Sequence, residues 1–167
     1  MRDTIAAIAT GPVRSAVGII RLSGPEAIAA AAAVFRATSG RSLTEYENRH
    51  LVLGALLDRA GNLVDQVLAT VSRAPESYTG EDTAELQCHG SPAVLTLGLE
   101  ALFAQGVRQA RPGEFTRRAF LNGKLDLTQA EAVADLIDAE TQAAARIAGG
   151  QLSGALSRRI GAVYDAL

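Results

Sequence analysis

The chain has 167 residues, of which 48% are hydrophobic and 20% charged, which is typical of a soluble globular protein. Its formal net charge of −2 supplies no overall positive field for a nucleic-acid backbone, and an aromatic content of only 4%, without tryptophan, argues against a base-stacking surface. One cysteine excludes an internal disulfide and, with only two histidines, disfavours a structural zinc site. The N-terminal apolar run is short and preceded by Asp3, which is not typical of a signal peptide, so we expect a cytoplasmic protein.

The first two thirds of the sequence alternate between strand-like and helix-like segments. Segments rich in β-branched or alternating apolar residues predict strands at 4–10, 17–23, 51–57, 64–72 and 83–88. Residues 58–62 predict a hairpin turn, residues 41–49 and 75–82 predict loops, and Ala84, Leu86 and Cys88 should share one apolar face. Helices are predicted from Pro25 to before Gly40 and from Ser91 to about Gly106. This order predicts an α+β domain over residues 1–120.

Residues 111–138 combine two helix starts with a polar bend. Pro112 and Glu114 suit the first turn of one helix. Thr128 is predicted to be the N-cap of the next helix, and Glu131 would complete a capping box with it. Between them, residues 122–124 predict a tight elbow that aims Lys124 at an anionic ligand, the alternative being a solvated lysine.

The remaining residues, 121–167, are predicted to form a helical segment with a weak point at Gly149-Gly150. Apolar residues at helical spacing form its stripe: Val133, Leu136, Ile137, Ala144, Ile147, Leu152, Leu156, Ile160, Val163 and Leu167. Because the sequence ends inside this stripe without a stop signal, we expect either a fragment or a face completed by another chain.

Two further polar residues are candidates for ligand contact. Glu85 lies in the middle of a predicted strand, where a carboxylate accepts paired N–H donors, although it also suits a solvent-facing position. Arg21 shares a strand face with Val17 and Ile19, so its charge needs a partner, either a protein carboxylate or an anionic ligand.

Other reactive or basic residues have simpler interpretations. Cys88 is predicted to be a small buried hydrophobe, and His89 either a turn residue or an anion contact beside a helix N-terminus. The pairs Arg117-Arg118 and Arg158-Arg159 are predicted to lie on solvated helix faces, with tRNA contact as the alternative. No G-x-x-x-x-G-K-[ST] sequence is present, so this chain has no P-loop for a nucleotide.

Several segments closely resemble the tRNA-modification GTPase MnmE (TrmE) family along nearly the whole chain. They are Asp3-Thr4-Ile5, AIAT at 7–10, VGIIRLSG at 17–24, YTGEDTAEL at 78–86, CHG at 88–90 and residues 112–138. The resemblance implies an N-terminal tetrahydrofolate-binding, aminomethyltransferase-like domain at 1–120 that forms a homodimer. The first part of a helical domain follows at 121–167, and the GTPase domain and C-terminal cysteine motif are expected outside this sequence.

The same resemblance implies contacts between 5-formyltetrahydrofolate and Arg21, Glu85 and Lys124, with no catalytic residue or metal ligand in this chain. The full protein, with its partner MnmG (GidA), is expected to modify C5 of the wobble uridine of certain tRNAs. It would use GTP, potassium and magnesium at sites that this chain lacks, so the chain alone should be inactive.

One segment departs from the family pattern. Residues 11–16 read Gly-Pro-Val-Arg-Ser-Ala where the family has Pro-Pro-Gly-Arg-Gly-Gly, and the loss of glycines stiffens this loop. The altered loop leaves one alternative to a working folate module, namely a dimerisation scaffold with a degenerate folate pocket. A stand-alone aminomethyltransferase-like enzyme is a further alternative, but it needs a complete C-terminal domain, and the helical stripe cut at residue 167 argues against it.

Overall fold

The computed structural model describes residues 3–11 and 13–154 and divides the chain into two compact units, Met1–Pro112 and Gly113–Leu167. The described strands are β1 Ile5–Ile8, β2 Ser15–Ser23, β3 Phe35–Ala37, β4 Val52–Leu57, β5 Leu63–Ser72, β6 Thr83–Gly90 and β7 Arg108–Gln109. The described α-helices are α1 Ala27–Val34, α2 Pro92–Phe103, α3 Glu114–Leu121, α4 Leu127–Ile137 and α5 Gln142–Leu152. The predicted α+β class is confirmed, whereas the domain boundary at residue 120 stays a prediction.

The strands of the first unit form one sheet in the order β3-β4-β5-β6-β2-β1-β7. Adjacent strands are antiparallel except β1 and β7, which are parallel. The hairpin predicted at 58–62 is confirmed, because Asp58 Oδ1 accepts hydrogen bonds from the Ala60 and Asn62 amides. This order brings β2 and β6 side by side although the chain between them builds three other strands.

One face of the sheet is covered by α1 and α2. The prediction for β6 is confirmed, since Ala84, Leu86 and Cys88 are at most 3% exposed and belong to the core. Helix α2 approaches the sheet closely at Gly98, where an added Cβ would lie 2.6 Å from Ile20 Cδ1. The core therefore lies between these helices and the sheet, and the alternate residues of β2, β5 and β6 are left on the opposite face.

Several predicted limits in the first unit are wrong. Helix α1 starts at Ala27 after N-cap Glu26, so Pro25 precedes the helix instead of lying in its first turn. It ends at Val34, well before Gly40, because residues 35–37 form β3 against β4. The loop predicted at 41–49 contains a short 3-10 turn at Leu43–Glu45, and β7 was not predicted.

The second unit contains α3, α4 and α5. Gly113, with φ of 69°, is the N-cap of α3, so Glu114 starts the helix as predicted but Pro112 lies before the cap. The predicted capping box is displaced: Asp126, not Thr128, is the N-cap of α4, and its partner is Gln129 instead of Glu131. The Thr128 hydroxyl donates to Asp126 Oδ1 and so supports this cap from within the helix.

The helical stripe is interrupted earlier than predicted. Residues 138–141 separate α4 from α5, whereas Gly149-Gly150 lies inside α5. Ile137 and Ile147 are 78% and 66% exposed in the described structure. The stripe positions Leu156, Ile160, Val163 and Leu167 lie outside the described residues.

Candidate functional site

Two of the predicted site residues meet on neighbouring strands of the sheet. Arg21 on β2 is in register with Glu85 on β6, and Arg21 Nε donates to Glu85 Oε1 at 2.7 Å. The two side chains are 34% and 27% exposed, so the pair is accessible to a ligand but partly screened from water. Of the two partners considered for Arg21, the structure therefore supplies the protein carboxylate.

The geometry leaves part of the Glu85 carboxylate open. Its Oε1 atom is held by Arg21, while its Oε2 atom accepts no hydrogen bond from the residues that the structure describes. A carboxylate has about four lone-pair positions and accepts two parallel N–H donors when its plane is fixed. Glu85 is thus an anchored acceptor that faces away from the core.

The loop after β5 carries a residue that the sequence analysis did not single out. The guanidinium carbon of Arg21 lies 5.9 Å from the centre of the Tyr78 ring, within the range of a cation–π contact. The next residue in the chain, Thr79, is fully buried, and its Oγ1 lies 2.7 Å from Ser23 Oγ, while Ser23 donates to Glu81 Oε2 at 2.8 Å. The YTGEDTAEL segment contains all these loop residues, but only the fold brings them beside Arg21.

Lys124 belongs to the second unit, where the predicted elbow is a Schellman motif. Asn122 is the C-cap of α3, Gly123 has φ of 70°, and the Lys124 amide donates to Ala119 O at 2.8 Å. Glycine suits this position because side chains disfavour positive φ. The motif fixes the backbone of Lys124, and its contact with a ligand stays a prediction.

Two family profiles match the sequence and together extend from residue 4 to residue 167. The profile described as "GTP-binding protein TrmE N-terminus" matches residues 4–124, and the profile described as "MnmE helical domain" matches residues 127–167. The chain belongs to the MnmE (TrmE) family. Arg21, Glu85 and Lys124 all lie within the first match.

Curated relatives agree with the MnmE assignment. The tRNA modification GTPase MnmE of Carboxydothermus hydrogenoformans is 50% identical over 164 residues, which cover 98% of this chain and 36% of that protein. The proteins of the same name from Thermus thermophilus and Myxococcus xanthus are 51% and 52% identical, and the aligned parts cover 38% and 36% of their lengths. The chain therefore spans little more than a third of the length of these MnmE proteins.

The loop at residues 11–16 leads directly into the sheet. Val13 is 71% exposed, and Ser15 and Ala16 are the first residues of β2. The pairing of β2 with β6 is irregular between Ser15 and Gly18. Residues 13–16 thus lie at the start of the strand that carries Arg21.

The Cys-His-Gly segment at residues 88–90 has a structural explanation. Cys88 is buried as predicted, and burial together with the negative charge of Asp65 raises the pKa of its thiol to about 12. A thiol with this pKa is not a nucleophile at neutral pH. The prediction that His89 lies in a turn is wrong, because β6 extends through Gly90. Its amide donates to Asp65 Oδ2 at 2.8 Å, and its Nδ1 lies 2.7 Å from Asp65 Oδ1.

Only one residue of the basic pair Arg117-Arg118 has its predicted solvated position. Arg118 donates to Glu114 Oε1 at 3.2 Å, and the two side chains are only 11% and 10% exposed, so this part of the prediction is wrong. Arg117 is exposed as predicted. Arg158 and Arg159 lie outside the described residues.

Other types of site are not found in the part of the chain that the structure describes. Among these residues, no three His, Cys, Asp or Glu side chains are arranged to hold a metal ion. No described helix is long and apolar enough to cross a bilayer. An open groove of about 560 Å³ lies between α4 and α5, and the residues of its lining that the structure describes include Asp135, Asp138 and Glu140 but no lysine or arginine. Three carboxylates without a cation among these described lining residues are unsuited to an anionic ligand such as folate.

Proposed function

We propose that this chain is the N-terminal module of a tRNA-modifying GTPase of the MnmE family and that it binds 5-formyltetrahydrofolate and mediates homodimerisation. The observation that carries the folate part of the proposal is the Arg21–Glu85 pair on the open face of the sheet. The amino-pyrimidine edge of a pterin presents adjacent N–H donors, which match a carboxylate whose orientation is fixed by an arginine. In this proposal Glu85 accepts that edge, and Arg21 both orients Glu85 and contacts the ligand.

Lys124 is proposed as the third contact. Folate carries carboxylates at the end opposite to its pterin, and a lysine is a compact cation suited to bind them. The Schellman motif supports this role, because a fixed backbone reduces the conformational entropy that Lys124 loses when it binds a ligand.

Homodimerisation is supported by apolar side chains on the open face of the sheet. Leu53 on β4 and Leu68 on β5 are in register, and they are 46% and 37% exposed. A second copy of the chain would remove such a cross-strand pair from water, which is favourable by roughly 25 cal/mol per Å² of apolar surface.

In the whole protein, the folate would supply a one-carbon unit to C5 of the wobble uridine. We propose that this reaction installs an aminomethyl or carboxymethylaminomethyl group together with MnmG. GTP hydrolysis, with potassium and magnesium, would take place in a domain outside this chain, which is consistent with its lack of a P-loop.

The test is isothermal titration calorimetry of the chain with 5-formyltetrahydrofolate. We expect binding by the wild type and an affinity at least about tenfold lower for Glu85→Gln, because hydrogen bonds to a charged acceptor are worth about 1.5–3 kcal/mol. Glu100→Gln, which removes an exposed carboxylate on α2, is the matched control and should bind like the wild type. Equal losses in both variants would contradict the assignment of Glu85.

Sedimentation of the same samples distinguishes the second candidate function. A folded dimer that takes up no folate would indicate a dimerisation scaffold with a degenerate pocket, which the altered residues 13–16 favour. In that case the proposed roles of Arg21, Glu85 and Lys124 would be withdrawn.

A further inference from the structure

A single polar side-chain atom is buried without a hydrogen-bond partner in the described part of the chain, namely Thr70 Oγ1. Thr70 lies on β5, between Ala69 and Val71, which point into the core and are at most 1% exposed. Its own side chain must therefore lie on the opposite face of the sheet. Because buried hydroxyl groups are nearly always hydrogen-bonded in folded proteins, an exception needs an explanation.

The position of Thr70 in the sheet connects it with the candidate folate site. Thr70 is in register with Glu85 on β6, and Glu85 is in register with Arg21 on β2. Residues directly opposite each other in antiparallel strands share one face and have Cβ atoms about 5 Å apart. Glu85 thus stands in the middle of a row of three polar residues, flanked by Arg21 on one side and Thr70 on the other.

Only one side of this row is hydrogen-bonded in the structure. Arg21 Nε holds Glu85 Oε1 at 2.7 Å, whereas Glu85 Oε2 has no partner among the described residues and Thr70 Oγ1 has none either. A donor and an acceptor on facing residues are therefore both unused.

We propose that Thr70 is a positioning residue for Glu85: when a reduced folate binds, the Thr70 hydroxyl donates to the carboxylate oxygen that Arg21 does not hold. This inference rests on the proposed function of the Arg21–Glu85 pair and adds a residue that the family resemblance did not supply. With both oxygens held from the sides, the plane of the carboxylate is fixed and its outward lone pairs face the N–H groups of the ligand.

The burial of Thr70 favours this indirect role over direct contact with the ligand. Its Oγ1 atom is inaccessible to solvent, so a ligand on the sheet surface does not reach it, whereas Glu85 is 27% exposed. In this proposal the Thr70 hydroxyl is unpaired in the free protein and hydrogen-bonded in the complex. The hydrogen bond therefore stabilises the complex and not the free protein. A residue that served only the fold would not have this property.

The test compares two substitutions that differ in the hydroxyl. Thr70→Val keeps the shape of the side chain and removes the hydroxyl, while Thr70→Ser keeps the hydroxyl and removes a methyl group. Binding of 5-formyltetrahydrofolate is measured by calorimetry, and the thermal midpoint of each free protein is measured by circular dichroism. We expect Thr70→Val to bind about tenfold more weakly, the order expected for a lost hydrogen bond to a charged group, and Thr70→Ser to bind within about threefold of the wild type.

The thermal midpoints separate positioning from a purely structural role. Because valine removes an unpaired buried hydroxyl, the midpoint of free Thr70→Val should equal or exceed that of the wild type, although its folate affinity falls. Wild-type affinity in Thr70→Val, or equal losses in the valine and serine variants, would overturn the inference and leave the Glu85 proposal standing. Failure of the wild type itself to bind folate would overturn both.

Discussion

Thr79→Val tests whether the hydrogen bonds of the buried Thr79 hydroxyl stabilise the loop that carries Tyr78. Since Ser23 donates its proton to Glu81 Oε2, the 2.7 Å contact between Thr79 and Ser23 must be donated by Thr79. The Glu81 amide also donates to Thr79 Oγ1, at 3.3 Å. Valine preserves the volume of this fully buried side chain but removes its hydroxyl and, with it, these two hydrogen bonds. We expect a loss of about 2 kcal/mol in the free energy of unfolding, roughly 1 kcal/mol for each hydrogen bond.

The loss is measured by urea unfolding followed by far-UV circular dichroism, and it corresponds to a fall of about 6 °C in the thermal midpoint for a chain of this size. Thr79→Ser is the matched control, because it keeps the hydroxyl and removes one methyl group, at a cost of about 0.8 kcal/mol. A Thr79→Val protein within about 0.5 kcal/mol of the wild type, or one no less stable than Thr79→Ser, would refute the assignment of these hydrogen bonds.

Two further predictions concern the caps and the thiol. Asp126→Ala should lower the free energy of unfolding by about 1 kcal/mol because α4 loses its N-cap, and Thr128→Ala should lower it less. If urea unfolding showed a larger loss for Thr128→Ala, the N-cap would be Thr128 and not Asp126. Cys88 should react with iodoacetamide at pH 8 only when the protein is unfolded. The pKa of this thiol rises from 9.0 to about 12 on folding. The contribution of Cys88 to the free energy of unfolding is therefore fully present below pH 9 and is lost as the pH rises towards 12. Unfolding of Cys88→Ala should lack this alkaline component, and an unchanged pH dependence would contradict the assigned burial.

Most strands could be predicted from local pattern because their core-facing residues alternate with polar ones. Strand β6 is the clearest case, since its alternation also identified which residues are buried. Strands β3 and β7 were missed because they have three and two residues and owe their conformation to β4 and β1. In α1 the alanine-rich run predicts a longer helix, and pairing with β4 overrides that local preference.

Two residues of the candidate site could be identified from the sequence, but their arrangement in space could not. Glu85 and Arg21 were each identified from a strand position or the family resemblance, but their pairing depends on the register of β2 and β6. Thr70 and Tyr78 were not singled out, because one is an ordinary strand threonine and the other an ordinary loop tyrosine until the fold places them beside Glu85 and Arg21. The N-cap of α4 was misplaced because Asp126 and Thr128 both suit this position.

The seam between β2 and β6 also determines when during folding the site is assembled. Arg21 and Glu85 are 64 residues apart in the chain, whereas the β4–β5 hairpin closes through a short turn. Contacts between distant residues carry a larger loop-closure cost and form slowly. A chain in which only the local hairpins have formed therefore lacks the complete site. A ligand that contacts both β2 and β6 binds only chains in which these two strands have paired. Folate binding would then report completion of the sheet and, by mass action, retain the molecules that have reached it.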